Sequence, residues 1–495
     1  MVATSADIKD AAGGADWLDL FLADWRAGSG QAIEYREPAT GILLGKFQHS
    51  TAADVEQACA RAAAAQPAWA ETSYQERAAI LSSAAEIYER HRPEFGTWTQ
   101  RETGAVHNKM HHEQNFTYQE ILNAATLPSQ SHGSLMPSAQ KDRLSMVRRV
   151  PVGVVGAITP WNSPSVLGMR VVAPALALGN AVVLKPDPQT PVSGGALFAA
   201  VFREAGLPEG LLQIVLGGAD AGEALVTDSN VALVSFTGST AAGRRVGQLA
   251  GGLLKRAVLE LGGNNAFVVL DDADLAAAAS AGAFASFQFQ GQVCFAVGRH
   301  IVQRSVADEY VKMLAEKARR LRLGDPYREQ VELGPIVNAK QLARVDDIVR
   351  RSLDGGARLV EGGTHEGLFY RPTVLADVTT NLPAWTDEIF GPVAPVVTFG
   401  SDDEAVALAN SSEYGLAGAV YSRSISRGLA IANRIRAGMV HVNDQTINDE
   451  AIIPFGGFGL SGNGGRFGGQ ANLETFTEWQ WLTVRDEPKS FPHPY

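Results

Sequence analysis

The stretch Val258-Leu-Glu-Leu-Gly-Gly-Asn264 joins two series of alternating apolar strands and helices. It has the pattern of a strand that runs into a Gly-Gly break. Alternation of short apolar runs with helical segments predicts βαβ units and a parallel sheet that is covered on both faces. We therefore predict two doubly wound α/β domains in tandem, with the junction near Gly262 and Gly263.

The first series contains short apolar runs that we predict as strands, with helices between them. The strands are Val152–Ile158, Ala181–Leu184, Leu212–Leu216, Leu233–Phe236 and Val258–Leu261, and the helices include Pro191–Ala205 and Thr240–Leu254. The second series begins with a strand and a helix that ends at Cys294. Its predicted elements are Ala266–Leu270, Arg299–Gln303, the helix Ala307–Leu321 and further strands through Val440–Asn443.

The remaining segments carry other patterns. Residues 51–126 have helical spacing, with Thr51 as a helix cap and Cys59 as a packed core residue. Ser134–Arg149 and Glu474–Arg485 are β-rich. Because an isolated two-stranded ribbon is only marginally stable, we expect these two segments to pair and to dock on another subunit.

Composition narrows the class of protein. A chain of 495 residues, 45% hydrophobic and 19% charged, is typical of a soluble globular enzyme with two or three domains. The net charge of −11 argues against a nucleic-acid partner. Two cysteines cannot form a disulfide framework, which favours a reducing compartment. Residues 1–10 lack a signal-peptide pattern and no apolar run is long enough to span a bilayer, so we expect a cytoplasmic protein with no membrane partner.

Cys294 and Glu260 are the candidate chemical pair. A soft nucleophile paired with a carboxylate, beside a dinucleotide site, suggests covalent oxidation of an aldehyde through a thioester. The two residues lie on either side of the predicted junction, and a cleft between domains is where a substrate site is expected. The alternative is a buried structural cysteine and a surface glutamate, since free cysteine is among the most buried residue types.

Two strand ends are candidates for binding the cofactor and the reacting oxygen. Phe236-Thr-Gly-Ser-Thr240 follows a strand and opens a helix, whose N-terminus can bind a pyrophosphate beside Gly238 and Ser239. The alternative is a plain helix cap by Ser239. Ile158-Thr-Pro-Trp-Asn162 also ends a strand, and the Asn162 amide could stabilise an oxyanion. The alternative for Asn162 is a residue of an Asn-Ser-Pro turn.

Lys185 and the segment Glu388-Ile-Phe-Gly-Pro392 are further candidates. A lysine at the carboxyl end of a parallel strand points into the ligand crevice, although a surface lysine whose stem lies along apolar surface is the alternative. Glu388 could accept hydrogen bonds from ribose hydroxyls while Phe390 packs on a flat ring.

Other motif matches fail in context. Gly457-Phe-Gly-Leu-Ser-Gly462 fits G-x-G-x-x-G but follows Pro454 in a Gly-rich loop rather than a strand. His112-Glu-Gln-Asn-Phe116 lacks the second histidine of a zinc motif, and we predict no metal. Arg244 and Arg245 stand where a P-loop needs Lys and Ser or Thr, which makes a nucleotidase an unfavourable interpretation.

In this order, the motifs resemble the aldehyde dehydrogenase superfamily. The matching stretches run from Pro160-Trp-Asn162 to Pro454-Phe-Gly-Gly457. Three more stretches resemble the branch of benzaldehyde, salicylaldehyde and vanillin dehydrogenases, with benzaldehyde dehydrogenases nearest. They are Gln290-Gly-Gln-Val-Cys294 followed by Gly298-Arg-His300, then Val442-Asn-Asp-Gln-Thr-Ile-Asn-Asp-Glu450, and Arg466-Phe-Gly-Gly469.

The resemblance implies roles for individual residues. Cys294 would be the nucleophile, Glu260 the general base, and Asn162 with the Cys294 backbone N–H the oxyanion hole. The implied cofactor is NAD, with NADP as an alternative. The implied cofactor-binding residues are Ile158, Thr159, Pro160, Trp161, Lys185, Gly238, Ser239, Glu388 and Phe390. The implied substrate pocket contains Ser163, Val166, Leu167, Val293 and Phe455.

The resemblance also implies an architecture and a partner. The fold would be two doubly wound domains, one cofactor-binding and one catalytic, plus a small β bridging domain. We assign residues 1–131 and 150–261 to the dinucleotide-binding domain, 262–462 to the catalytic domain, and 132–149 and 463–495 to β-rich oligomerisation segments. The partners would be an aldehyde substrate and further copies of the chain, in a homodimer or homotetramer.

Two departures from the family pattern leave alternatives open. Pro188 replaces a glutamate that favours NAD, and Ser163 replaces a phenylalanine of the substrate funnel. The alternatives are an aliphatic or semialdehyde dehydrogenase, a variant that passes the acyl group to coenzyme A, and a non-enzymatic cofactor-binding protein. The presence of Glu260 speaks against the coenzyme A variant, because deacylation by water needs a base.

Overall fold

The structure is a computed structural model that describes residues 28–491. The expectation that the chain has no signal peptide concerns residues 1–10, which lie outside this range. The helices are α1 Ala52–Glu71, α2 Tyr74–Arg90, α3 Arg92–Thr103, α4 His107–Thr126, α5 Pro164–Ala177, α6 Leu197–Glu204, α7 Ala219–Thr227, α8 Thr240–Gly252, α9 Leu275–Phe287, α10 Ala307–Arg320, α11 Ala339–Asp354, α12 Pro383–Thr386, α13 Asp402–Ala409, α14 Ile425–Ala432 and α15 Ala471–Phe476. No helix within residues 28–491 is both long and apolar enough to cross a membrane.

The strands form one seven-stranded, one five-stranded, one three-stranded and several two-stranded sheets. They are β1 Ala32–Arg36, β2 Leu43–Gln48, β3 Gly133–Leu135, β4 Leu144–Pro151, β5 Val154–Ile158, β6 Ala181–Lys185, β7 Leu212–Ile214, β8 Val231–Thr237, β9 Arg256–Glu260, β10 Asn265–Val269, β11 Val297–Gln303, β12 Arg358–Glu361, β13 His365–Glu366, β14 Phe369–Tyr370, β15 Thr373–Ala376, β16 Val393–Phe399, β17 Tyr414–Gly415, β18 Ala417–Tyr421, β19 Met439–Val442, β20 Phe458–Gly459 and β21 Thr477–Val484.

The first alternating series forms a wholly parallel sheet in the order β7-β6-β5-β8-β9. All residues of β5 and β6 are buried. Strands that are covered on both faces need apolar residues at every position, which explains why they appear in the sequence as continuous apolar runs. The predicted parallel sheet is confirmed.

The second series forms a separate sheet in the order β12-β15-β16-β11-β10-β18-β19. All its pairs are parallel except that of β12 with β15. Glu260 ends β9 in the first sheet, and Asn265 begins β10 in the second. The chain therefore crosses from one sheet to the other at Gly262 and Gly263, where the sequence predicted the junction.

The two β-rich segments pair with each other, as predicted. β21 runs antiparallel to β4 along its whole length, and β3 pairs with the other edge of β4. The predicted strand from Glu474 is wrong at its start, because residues 474–476 belong to helix α15. Leu473 and Phe476 lie three positions apart and are both buried in the core that includes the five-stranded sheet, which favours a helical turn here.

The helix predicted to end at Cys294 is also wrong in its extent. Helix α9 ends at Phe287, and Phe289 and Gln290 then adopt φ angles of 51° and 56°. This left-handed conformation is unfavourable for residues other than glycine and stops the helix. Close packing accompanies it, since a Cβ atom on Gly291 would lie 2.1 Å from the Gly391 carbonyl oxygen. Cys294 therefore lies in a loop rather than on a helix.

The N-terminal helices follow the sequence closely. Thr51 caps α1 through a capping box, in which its side chain accepts from the Asp54 N–H and the Asp54 carboxylate accepts from the Thr51 N–H. Cys59 has no exposed surface and packs in the core, as predicted. Cys59 and Cys294 are both free thiols.

Candidate active site

The carboxyl ends of four parallel strands meet along one edge of the five-stranded sheet. β5 ends at Ile158, β6 at Lys185, β8 at Thr237 and β9 at Glu260. Ile158 pairs with Lys185, and Thr237 pairs with Glu260. Ligands of open parallel sheets bind at this edge, so the strands themselves bring the predicted residues together.

Glu260 is buried, with 3% of its surface exposed. Neither of its carboxylate oxygens has a hydrogen-bond partner among the described residues. A Cβ atom on Gly456 would lie 2.6 Å from Oε1, so this glycine leaves the space that the carboxylate occupies. Burial raises the pKa of Glu260 well above its usual value, against the lowering effect of Arg466 and Arg170. A buried carboxyl group of this kind suits general acid–base chemistry.

The loop around Cys294 packs against aromatic rings. Cys294 and Phe295 lie against a buried cluster that includes Phe455, and the Phe295 and Phe455 rings meet nearly edge to face at 5.7 Å. The Asn265 side chain donates to the Cys294 carbonyl oxygen at 2.9 Å. A Cβ atom on Gly263 would lie 2.3 Å from that same oxygen. The junction between the sheets therefore sets the position of the cysteine.

The surroundings of Cys294 raise the pKa of its thiol. Although Cys294 is only half-buried as a residue, packing desolvates its thiol and raises its pKa, and the charges of Glu388 and Glu260 raise it further. Arg170 acts in the opposite direction but does not outweigh these effects. A raised pKa disfavours the thiolate, so Cys294 needs a proton acceptor to become nucleophilic.

Asn162 is buried and reaches the loop of the cysteine. Its Nδ2 atom donates to the Gln292 carbonyl oxygen at 3.0 Å, two residues before Cys294. An amide nitrogen carries two hydrogens, so a second one remains available. The Cys294 N–H has no acceptor within residues 28–491. One hydrogen of the Asn162 amide and the Cys294 N–H therefore remain as N–H donors without a partner among the described residues.

Sequence reasoning missed an ion pair beneath Asn162. The Lys109 ammonium donates to the Asn162 carbonyl oxygen at 2.8 Å and is paired with Glu113, and both side chains are buried. The second Glu113 oxygen accepts from the Ser165 N–H at 2.8 Å. The i, i+4 spacing of these residues on α4 was the available signal, but such pairs are usually exposed.

Lys185 and Glu388 have the donor and acceptor capacity that a ribose needs. Lys185 is buried rather than on the surface, and it donates to the carbonyl oxygens of Pro186 at 3.2 Å and Gly217 at 3.0 Å. One of its three ammonium hydrogens remains. Glu388 Oε1 accepts from the Gly263 N–H at 3.0 Å. Burial raises the pKa of Glu388 to about 7.

The remaining predicted cofactor residues lie along the same edge. Ser239 caps α8, and its Oγ accepts from the Ala242 N–H at 3.4 Å, as the interpretation of a helix cap predicted. Because α8 follows β8 directly, its N-terminus lies at the same edge. A Cβ atom on Gly238 would lie 2.7 Å from the Phe236 ring. The rings of Trp161 and Phe390 meet edge to face at 5.6 Å. Ile158 and Thr159 are buried, and Pro160 is half-buried.

The predicted substrate residues are only partly brought to the sulfur. Phe455 belongs to the cluster against which Cys294 packs, and Val293 precedes Cys294 in the same loop. Ser163 is the residue before α5, and Val166 and Leu167 lie on its first turn, directly after Asn162.

Arg170 is the largest omission of the sequence reasoning. Its buried guanidinium lies over the Phe455 ring at 4.5 Å and the Phe116 ring at 5.1 Å. It also donates to Glu120 at 2.8 Å and to Asp449 at 2.6 Å. Arg170 is the one charged residue of helix α5, so the sequence alone could have indicated a special role for it.

The Gly-rich loop Gly457–Gly462 does not act as a dinucleotide fingerprint. It lies alongside β9, where Glu260 forms a bridge with Gly462 and the Leu261 N–H donates to the Ser461 carbonyl oxygen at 3.0 Å. The loop thus forms a wall next to Glu260. In the part of the chain that the structure describes, no group of three or more His, Cys, Asp or Glu side chains has a geometry for a metal ion.

Comparison with known proteins gives consistent matches. Residues 25–482 match the model of the aldehyde dehydrogenase family. A vanillin dehydrogenase of an Amycolatopsis species is 52% identical over 96% of this chain and 97% of its own. The benzaldehyde dehydrogenase [NAD(+)] of Pseudomonas putida is 48% identical over 96% and 97%. The solved structure of betaine aldehyde dehydrogenase from Staphylococcus aureus in complex with NAD+ superposes with a TM-score of 0.92 at 28% identity, over 96% of this chain and 98% of that one.

Proposed function

This chain belongs to the aldehyde dehydrogenase family, and we propose that it oxidises an aromatic, benzaldehyde-like aldehyde to the carboxylic acid with NAD. One observation carries the proposal. A buried carboxyl group, Glu260, has two unpartnered oxygens at the end of one sheet, and across the junction Cys294 packs against an apolar cluster that includes Phe455. Base, nucleophile, oxyanion donors and an apolar surface are the parts that this reaction needs.

We assign the first step to Cys294, Glu260 and Asn162. Glu260 takes the thiol proton, the sulfur bonds to the aldehyde carbon, and the carbonyl oxygen becomes an oxyanion. That oxyanion accepts hydrogen bonds from the Asn162 amide and the Cys294 N–H. Removal of one such donor typically lowers the rate by about 10²–10³. When bound, NAD supplies the acceptor for the hydride and a positively charged ring.

The second step releases the acid. After the hydride has left, the carbon is held as a thioester on Cys294. Glu260 first releases the thiol proton to solvent and then takes a proton from a water molecule. The water oxygen bonds to this carbon as the C–S bond breaks, and the departing sulfur takes the proton back from Glu260. General-base assistance of this kind contributes about 10²–10⁴ in rate. The burial that raises the pKa of Glu260 makes it a stronger base than an exposed carboxylate.

The charges around Lys185 support a preference for NAD over NADP. Lys185 has Asp187 and Asp220 in its electrostatic surroundings, and both are carboxylates. A 2′-phosphate of NADP placed beside Lys185 would meet these negative charges, whereas the ribose hydroxyls of NAD would not. We therefore propose NAD although Pro188 replaces the glutamate of many relatives, with Lys185 and Glu388 holding the riboses and Gly238 and Ser239 facing the pyrophosphate.

The aromatic substrate follows from the rings around the sulfur. Phe295, the residue after Cys294, meets Phe455 nearly edge to face in the cluster against which Cys294 packs, and flat rings pack well on such a pair. An aliphatic aldehyde would gain less from this surface. We propose that Val293, Ser163, Val166 and Leu167 complete the pocket.

The domain division is part of the same proposal. We propose a dinucleotide-binding domain at 1–131 and 150–261, a catalytic domain at 262–462 and bridging segments at 132–149 and 463–495. Trp479 and Trp481 are 56% and 63% exposed on β21, which supports a homodimer or homotetramer assembled through this sheet. The cytoplasmic location stays a prediction from cysteine usage.

The test is a panel of aldehydes with NAD and NADP, followed by the absorbance of the reduced cofactor. We expect a higher kcat/KM for benzaldehyde than for hexanal, and for NAD than for NADP. Cys294→Ala should abolish oxidation while cofactor binding remains. Glu260→Gln should give a burst of reduced cofactor followed by slow turnover, because the thioester then accumulates.

Each outcome tests a different part of the proposed function. A preference for hexanal would refute the aromatic assignment. Near-normal turnover by Cys294→Ala would refute the covalent route. A uniformly slow Glu260→Gln without a burst would remove Glu260 from deacylation. Transfer of the acyl group to coenzyme A with no free acid would favour the acylating alternative.

A further inference from the structure

A buried ionic cluster adjoins the apolar cluster against which Cys294 packs. It consists of Arg170 on α5, Glu120 on α4 and Asp449 in the segment between β19 and β20. The Arg170 guanidinium lies over the Phe455 ring at 4.5 Å, and Phe455 belongs to the apolar cluster against which Cys294 and Phe295 pack. The Phe455 ring therefore connects the ionic cluster to the apolar surroundings of Cys294.

The cluster is not saturated with hydrogen bonds. Asp449 Oδ2 accepts from Arg170 at 2.6 Å, but Asp449 Oδ1 has no partner among the described residues. The Asp449 side chain is only 7% exposed, so solvent has little access to compensate it. A buried carboxylate oxygen without a donor is unfavourable by an amount comparable to a lost hydrogen bond, and such an atom calls for a ligand or an ordered water.

Glu120 also has an unpartnered oxygen, but its position differs. It is 1% exposed and lies beneath Arg170 on helix α4. Asp449 lies in a loop, is half-buried as a residue, and acts electrostatically on both Cys294 and Glu260. Of the two carboxylates, Asp449 is therefore the one that borders the reaction site.

We propose that Asp449 is a specificity-determining residue whose Oδ1 accepts a hydrogen bond from a hydroxyl group on the ring of the aldehyde. This inference rests on the proposed function and refines its substrate class to hydroxylated aromatic aldehydes. Arg170 holds the carboxylate through Oδ2 and leaves Oδ1 directed elsewhere. A pocket that presents a buried acceptor discriminates strongly against a substrate that lacks the donor, because the acceptor then stays unpaired.

The chemistry defines a discriminating set of substrates. A ring hydroxyl can donate to Oδ1, whereas a methoxy group at the same position cannot donate and has similar electronic character. The 2-, 3- and 4-hydroxybenzaldehydes are therefore each compared with the methoxybenzaldehyde of the same position. For at least one position we expect kcat/KM for the hydroxy compound to exceed that for the methoxy compound by about tenfold, as for a hydrogen bond to a charged group.

Asp449→Asn separates hydrogen bonding from size. The amide has nearly the same shape, can still accept from Arg170, and replaces the free acceptor by a donor. The ratio of kcat/KM between hydroxy and methoxy compounds should then fall toward one. Glu120→Gln is the matched control, since it alters the other partner of Arg170, and it should keep the ratio. Thermal melting of both variants verifies that they are folded.

The outcomes are distinct. If no hydroxy compound is preferred by the parent enzyme, or if Asp449→Asn keeps the preference, the inference is overturned. If Glu120→Gln removes the preference equally, the effect belongs to the whole cluster and the assignment to Asp449 is wrong. If neither hydroxylated nor unsubstituted benzaldehydes are oxidised at all, the proposed function fails instead, and the ratio in the parent enzyme distinguishes the two cases without any variant.

Discussion

Helix α4 supplies acidic side chains to two buried ionic clusters, and these differ in how completely their polar atoms are paired. In the first, Lys109 bonds both Glu113 and the Asn162 carbonyl oxygen, and Glu113 also accepts from the Ser165 N–H. In the second, Arg170 bonds Glu120 and Asp449, but one oxygen of each carboxylate lacks a partner. Both clusters are buried, yet only in the first does every carboxylate oxygen have a hydrogen-bond partner.

The difference indicates different tasks. A buried network whose carboxylate oxygens are all hydrogen-bonded holds the backbone in one arrangement. Here it holds the segment that carries Asn162. A partly paired network is less favourable for stability, but it keeps an acceptor available for a ligand. In our proposal the first cluster holds the segment that carries Asn162, and the second provides the acceptor that recognises the substrate.

Loss of Lys109 should produce the largest effect. Lys109→Met leaves Glu113 buried without its counter-charge, and removal of one partner of a buried pair typically lowers the free energy of unfolding by about 3–5 kcal/mol. Because the Asn162 carbonyl oxygen also loses its donor, kcat should fall more than KM rises. Chemical denaturation and steady-state kinetics measure the two effects.

A double variant tests the reason for that loss. Lys109→Met combined with Glu113→Gln removes the uncompensated charge and should recover part of the stability. The difference between single and double variants is the interaction energy of the pair. Equal stability of Lys109→Met and the parent protein would show that the first cluster is not a structural anchor.

The pH dependence of stability should reveal the second cluster. Burial raises the pKa of Glu120 to about 7 from an ordinary value of 4.5, although Arg170 lowers it. Between these values the folded chain retains a proton that the unfolded chain has lost. The contribution of Glu120 is thus fully present below the lower value and is lost as the pH rises through the higher one, so that it reduces the free energy of unfolding between about pH 5 and about pH 7.

Glu120→Gln removes this contribution. The free energy of unfolding of the variant should fall less steeply across the same pH window than that of the parent, as measured by denaturation at several pH values. Other buried carboxyl groups provide the common background in both proteins. An identical slope would mean that Glu120 is ionised throughout and that Arg170 compensates its charge completely.

The smallest effect is expected for an exposed pair with good geometry. Arg245 donates to both oxygens of Glu223 at 2.8 and 3.0 Å, but the two side chains are 56% and 45% exposed. Solvent screens such pairs, so Arg245→Ala should leave the melting temperature close to that of the parent. A loss as large as that of Lys109→Met would show that burial does not explain the contrast between the clusters and the surface.

Much of the candidate active site could be predicted from the sequence because its residues lie at the ends of strands. Three apolar runs end at Ile158, Lys185 and Glu260. The carboxyl ends of parallel strands lie at one edge of the sheet, independently of the conformation of the loops. The assignment of Cys294 as a candidate nucleophile needed only its motif. Its placement on a helix was wrong, because the left-handed Phe289 and Gln290 have no signature in residue type.

Apolar periodicity and glycine breaks are local properties, and they were enough to establish two parallel sheets, their junction at Gly262 and Gly263, and the residues at the sheet edge. The pairing of charges is not local. Arg170 contacts Asp449 and Phe455, which lie far away in the sequence. Whether each oxygen of a buried carboxylate finds a hydrogen-bond donor depends on every neighbour that packing brings to it. The raised pKa of the Cys294 thiol and the unpaired oxygen of Asp449 therefore depend on how the helices pack against the sheets, since burial determines both.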